Sequence, residues 1–171
     1  RENARTKSGD WHYTLRCDTD WFEEFEKTYQ TGEKEQGYCV EQVGLLTMRK
    51  VIEEPYEIEL DYAEEGYLSM MGRTLKAGRY PAEEGEAALD EFTLRNLDIP
   101  REIGTTFTLD GETFTLCGIV SEQPSALTQR MQVFVDPTRD YGTNGRFLYV
   151  KFEESKDIYR QMSAFADTFG I

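Results

Sequence analysis

Hydrophobic positions recur with a period of two along most of the chain and with a period near 3.6 in four short stretches. That is the pattern of a sheet packed by a few helices. Trp11 to Cys17 (WHYTLRC) is rich in aromatic and β-favouring residues and predicts a strand. Asp20 and Glu23 have the spacing of a capping box. Trp21, Phe25 and Tyr29 then recur every four residues, which predicts a helix that Gly32 ends. Strand character resumes from Tyr38 to Val51 through Val40, Val43, Leu45 and Leu46, so the opening reads β-α-β. From Pro55 to Tyr62, the residues Tyr56, Ile58, Leu60 and Tyr62 alternate with Glu57, Glu59 and Asp61. This predicts a half-buried strand with its acidic face in water. Glu64 to Gly72 fits a short helix with Leu68 and Met71 turned inward.

Turn chemistry organises the next segment. Gly78 and Pro81 bracket a turn, Glu86 to Leu89 reads as a strand, and Phe92, Leu94 and Leu97 suit a short helix that Pro100 stops. Thr105 to Leu109 and Glu112 to Val120 alternate Thr with Phe or Leu around Asp110-Gly111, a strong hairpin signal. Ser121 to Arg130 reads as a loop, and Met131 to Val135 as a strand ended by Asp136-Pro137. Tyr141 to Gly145 supplies a turn, and Phe147 to Phe152 the last strand. Ser155 is the predicted N-cap of a closing helix with Ile158, Met162, Phe165, Ala166 and Phe169 on one face. The expected fold class is α+β: a mixed sheet with helices on one face. Residues 1–74 and 122–171 would form a split βαβ-like lobe, and 75–121 a smaller inserted β-rich lobe.

Composition narrows the function classes. At 171 residues, 39% hydrophobic and 13% aromatic, the chain can bury a core. A formal charge of −14 without a basic stripe argues against nucleic acid as a partner. No apolar run approaches the roughly 20 residues that span a bilayer, and Arg1 to Asp10 is polar throughout, unlike a signal peptide. A chain that opens at Arg1 without Met reads as a piece of a longer protein.

Candidate chemistry is sparse. Cys17, Cys39 and Cys117 lie far apart without metal-ligand spacing, and each sits in a strand-like run where a free Cys acts as a small hydrophobe. His12, the only histidine, lies mid-strand without an accompanying GxSxG. The glycines form neither GxGxxG nor a P-loop, so no nucleotide site is expected. Catalytic, cofactor and metal residues are accordingly expected to be none.

The ordered set from Leu75 to Val120 resembles the extracytoplasmic, MacB-like periplasmic core domain of MacB/FtsX-type ABC transporter permeases. Leu75, Gly78, Arg79 and Pro81 correspond to a Leu-x-x-Gly-Arg-x-Pro element. Glu86 precedes the short strand, and Leu94 and Leu97 fall where a Leu-rich helix is found. Ile103-Gly104 leads into the next strand, and Phe114, Leu116, Gly118 and Ile119 close the set. Gly9 to His12 is similar to the region after the first membrane helix in Gram-positive permeases. Thr105 stands where the family has an acidic residue, and there is no room for the extension by which efflux members meet a periplasmic partner.

What the resemblance implies is a non-catalytic extracellular domain of a membrane protein. It would couple cytoplasmic ATP hydrolysis to export or envelope mechanotransmission. The ATP would sit on a separate nucleotide-binding subunit, so this domain would need no cofactor. Other expected partners are a second permease copy or an extracytoplasmic protein, and a peptide or lipid-linked substrate. The family residues Gly78, Arg79, Pro81, Glu86, Gly104, Phe114 and Gly118 would act structurally. Residues 1 and 171 would emerge close together on one face. The alternative reading is a freestanding secreted module binding peptide or carbohydrate.

Overall fold

A computed structural model describes residues 10–17, 21, 24–25, 27, 37–63, 65–123, 130–136 and 145–170. The strands are β1 (Tyr13–Arg16), β2 (Val40–Glu53), β3 (Tyr56–Ala63), β4 (Leu75–Gly78), β5 (Glu86–Asp90), β6 (Thr106–Leu109), β7 (Glu112–Val120), β8 (Met131–Val135) and β9 (Gly145–Phe152). The helices are α1 (Glu65–Met70), α2 (Glu91–Asn96) and α3 (Ile158–Phe169). This is an α+β fold built on a mixed nine-stranded sheet in the order β1-β9-β2-β3-β8-β5-β7-β4, with β6 also paired to β7. The pairs β3–β8 and β5–β7 are parallel and the remaining ladders antiparallel. The β4–β7 segment joins the rest through β8, which pairs with β3 on one side and β5 on the other.

Alternation along the strands distributes side chains among three apolar clusters. Val43 and Leu45 pack with Leu148, Val150 and Phe152 against Met162 and Phe165 of α3. Their neighbour Leu46 joins Tyr67 and Leu68 of α1, with Ala88, Val120 and Phe134. Ile58, Leu60 and Tyr62 point into the largest cluster, shared with Leu94, Ile99, Phe114, Leu116 and Val133. Trp21 and Phe25 lie on helical backbone, and Phe25 is buried, its ring 5.3 Å from that of Trp21. Tyr29 and Gly32 of that predicted helix lie outside the described residues, as do 124–129 and 141–144 of the predicted loop and turn. Residues 1 and 171, whose proximity was expected, lie outside them too.

The local sequence accounts for the helix ends. Asp90 caps α2 by accepting the Thr93 N–H at 2.8 Å, and Pro100 follows. The cap of α3 is Asp157, which accepts the Arg160 N–H at 3.2 Å, two residues later than predicted. Ser155 instead donates to Glu153 at 2.8 Å. Asp and Ser cap about equally well, so the residue seated one step before the helical backbone decides.

The predicted acidic face of β3 is corrected more substantially. Glu57 is exposed, but Glu59 is 4% and Asp61 0% exposed. Tyr67 and Leu68 of α1 pack over Leu46 and Phe134, the same face that carries Asp61. A period-two pattern identifies two faces without telling which of them a helix will cover.

Candidate functional site

The seven residues singled out by the Gly-Arg-x-Pro pattern lie on or near β7. Gly78 ends β4 opposite Gly118. It has φ +68, and a Cβ there would overlap the carbonyl oxygen of Cys117. A Cβ on Gly118 would overlap the carbonyl oxygen of Arg79. The two glycines therefore let one backbone cross another at a distance that no side chain permits. The Arg79 N–H donates to Cys117 O at 2.9 Å, and the Cys117 thiol lies 3.4 Å from Arg79 O.

Beyond this crossing the Arg79 guanidinium forks onto both oxygens of Glu86, with Nη1–Oε1 at 2.8 Å. The same Oε1 accepts the backbone N–H of Ala82 at 3.2 Å and of Glu83 at 2.7 Å, fastening the turn that holds Pro81. Burial raises the carboxyl pKa of Glu86 in part, but the Arg79 bonds and backbone donors outweigh it and the net shift is downward. Gly104 donates to Leu116 O at 2.8 Å, and Phe114 is buried with its ring 5.8 Å from Phe107. These contacts shape and fasten β4 and β7 without presenting a reactive group.

His12 is buried just before β1. Its Nδ1 accepts the Phe152 N–H at 2.9 Å, and its Nε2 lies 3.4 Å from Glu154. Accepting at Nδ1 requires a neutral ring there, which fits a structural histidine better than a catalytic one. Burial pushes the Cys117 thiol up to about 11. No cluster of three or more His, Cys, Asp or Glu among the described residues has metal-binding geometry.

Sequence reasoning missed a buried polar network at the junction of β3, β8 and β5. Register places Gln132 opposite Glu59. The Gln132 Nε2 donates to Asp61 Oδ2 at 2.7 Å and to Glu59 Oε2 at 3.2 Å. Its Oε1 accepts from Arg73 Nη2 at 2.8 Å and from Gln123. Arg73 also reaches Asp90 Oδ2 at 3.3 Å and Ser121 O at 2.5 Å, and its guanidinium lies 5.3 Å from the Phe134 ring centre. Arg130 bonds Glu59 at 3.2 Å from the exposed side.

In this network Asp61 Oδ1 is buried without a hydrogen-bond partner. Burial, and then the Glu59 carboxylate, hold the Asp61 pKa well above the ordinary carboxyl range. A proton on Asp61 resolves both facts, because the orphaned acceptor becomes a donor toward Glu59. The usable signal was Gln132, a lone amide inside the apolar strand MQVFV. Such an amide needs buried partners.

A separate cleft of about 590 Å³ opens at the far end of the sheet. Its walls come from the β2–β3 turn at Glu54–Tyr56, the segment 96–100 after α2, and β6.

No protein-family model matches the sequence, and no curated protein matches it. Solved structures do share its fold. The periplasmic region of MacB from Actinobacillus actinomycetemcomitans superposes with a TM-score of 0.61 at 16% identity, over 99% of this chain and 88% of that one. The extracellular domain of the noncanonic ABC-type transporter YknZ from Gram-positive bacteria gives 0.60 at 13% identity, over 91% and 85%. A domain of a protein described as a permease from Porphyromonas gingivalis gives 0.54 at 18% identity, over 79% and 71%. The chain thus has the MacB-like extracytoplasmic fold that the Leu75–Val120 pattern led us to expect.

Proposed function

We propose that this chain is the extracytoplasmic domain of an ABC transporter permease, lying between two membrane helices of the longer protein. The observation that carries the reading is the fold shared along nearly the whole chain with the periplasmic region of MacB. The seven motif residues support it, because they fasten β4 and β7 and leave no nucleophile, acid–base pair or metal set among them. No described helix is long and apolar enough to cross a membrane, so any membrane segments would lie elsewhere in the protein.

In this role the domain is non-catalytic and carries no cofactor. ATP is bound and hydrolysed by a separate subunit, and closure of the membrane helices moves this domain as a rigid body. A peptide or lipid-linked molecule is the substrate class, and a second permease copy or an extracytoplasmic protein is a further partner.

Two measurements test the reading. The open reading frame should encode apolar spans of about 20 residues on both sides of this segment. A signal peptide before it and a stop codon after it would overturn the proposal in favour of a secreted binding module. In the reconstituted permease with its ATP-binding subunit, spin labels on this domain and on a membrane helix should change separation between nucleotide-free and ATP-bound states. An unchanged separation would remove mechanotransmission.

A further inference from the structure

The cleft at the far end of the sheet is bordered by a strand with a free edge. Asp110 and Gly111 both have positive φ, 49° and 75°, which makes the β6–β7 connection a two-residue type I′ hairpin. Leu109 and Glu112 flank it as a hydrogen-bonded pair, so the pairs alternate from there. Phe107–Phe114 is hydrogen-bonded, while Thr108–Thr113 and Thr106–Thr115 are not. Neighbouring bonds confirm the phase. The Leu116 N–H donates toward β6, to Thr105 O at 2.8 Å, whereas the Thr115 N–H turns the other way, to Gly85 O at 2.8 Å. The N–H and C=O groups of Thr106 and Thr108 therefore face away from β7. Both residues are exposed, and among the described residues β6 pairs with β7 alone.

The cleft that Thr106 and Thr108 line is walled also by the β2–β3 turn and residues 96–100. Phe107 and Tyr56 are half-buried and offer apolar surface to the cleft, with Ile99 buried among the lining residues. Two exposed carboxylates, Glu54 and Asp98, also line it, and neither has an ion-pair partner among the described residues. The charge of −14 makes a second copy of this chain a poor occupant of an acidic cleft. It favours a cationic one.

We infer that the cleft beside β6 is a docking site for an extended, basic segment of another polypeptide. The segment adds as a strand to the free edge at Thr106 and Thr108 and sets a Lys or Arg against Glu54 and Asp98. Main-chain bonds supply the grip, and the carboxylates and Phe107 select the side chains. An unprotected edge of this kind otherwise invites unwanted pairing, and β6 is short, at four residues. The inference is independent of any membrane context and can be tested on the 171-residue chain.

The probe is an acetylated, amidated hexapeptide, Thr-Lys-Val-Lys-Val-Thr, added to ¹⁵N-labelled protein. The amides of Thr106 and Thr108 should shift and exchange more slowly with solvent, while those on β1 stay unchanged. The E54Q/D98N double variant should bind about three- to tenfold more weakly, the scale of two exposed ion pairs. A peptide with Glu in place of Lys should not bind, nor one N-methylated at every residue, which leaves neither edge able to donate. Each of the following would overturn the proposal: no perturbation at Thr106 and Thr108, equal binding of the acidic or N-methylated peptide, or a dimer of this chain formed through β6.

Discussion

Replacing Asp61 by Asn should flatten the dependence of stability on pH. Asp61 is 0% exposed, and its carboxyl titrates well above the ordinary range because of burial first and the Glu59 charge second. The groups facing it are Glu59 on its own strand, Gln132 from β8, Tyr67 from α1 and, through Glu59, Arg130. In the unfolded chain the same carboxyl loses its proton near pH 3.9. Below that pH both states hold the proton and the full stability is present. As pH rises, the unfolded state releases the proton first, and stability falls by about 1.4 kcal/mol per pH unit until the folded carboxyl also ionises.

In the D61N variant, the amide nitrogen takes the place of the protonated Asp61 Oδ1 toward Glu59, and the amide oxygen takes the place of Oδ2 and accepts from Gln132. At pH 5 the variant should therefore stay close to the wild type. Between pH 5 and pH 7 the wild type should lose up to about 2.7 kcal/mol more than the variant. For a chain of this size that is up to about 5–10 °C in Tm. Thermal melts at the two pH values supply the comparison, and titrations common to both proteins cancel. Parallel pH profiles would refute a protonated Asp61. So would a large loss in D61N already at pH 5, which would show that Oδ1 accepts a bond rather than donating one.

Other expectations concern packing and access. Gly118→Ala should destabilise by about 3 kcal/mol in urea unfolding, because its Cβ meets a backbone carbonyl that cannot rotate aside. Phe165→Ala should cost about 3–5 kcal/mol, since that fully buried ring meets Tyr13, Phe25, Tyr38, Phe152 and Phe169 and its loss undocks α3. Cys117, buried and with its thiol pushed up to about 11, should resist maleimide at pH 8 in the folded protein and react once it is unfolded.

Much of the scaffold is legible in local chemistry. The Asp110-Gly111 pair announces its hairpin, Met131–Val135 is bounded as predicted, and Leu68 turns inward from α1 as its spacing requires. The polar network is not legible, because its members lie at 59, 61, 73, 90 and 132 and meet only through the β3–β8 and β8–β5 ladders. Alternating carboxylates on one strand look alike whether water or a helix covers them. The open edge of β6 was hidden for the opposite reason. An alternating strand does not reveal whether it has one neighbour or two.

The central place of β8 has a consequence for how the chain is made. Emerging from a ribosome or translocon, the first 120 residues contain β2–β3 and the β5–β7 region but not the strand that pairs with both. The joining strand arrives at residues 131–135, and β1 must wait longer, for a partner whose register pairs Tyr13 with Val150. Such pairings between distant parts of the chain slow closure and leave strand edges open meanwhile. Refolding from denaturant should therefore be slow for a chain of this length, with truncation before residue 131 leaving two half-sheets whose facing edges lack their shared strand and are prone to aggregation.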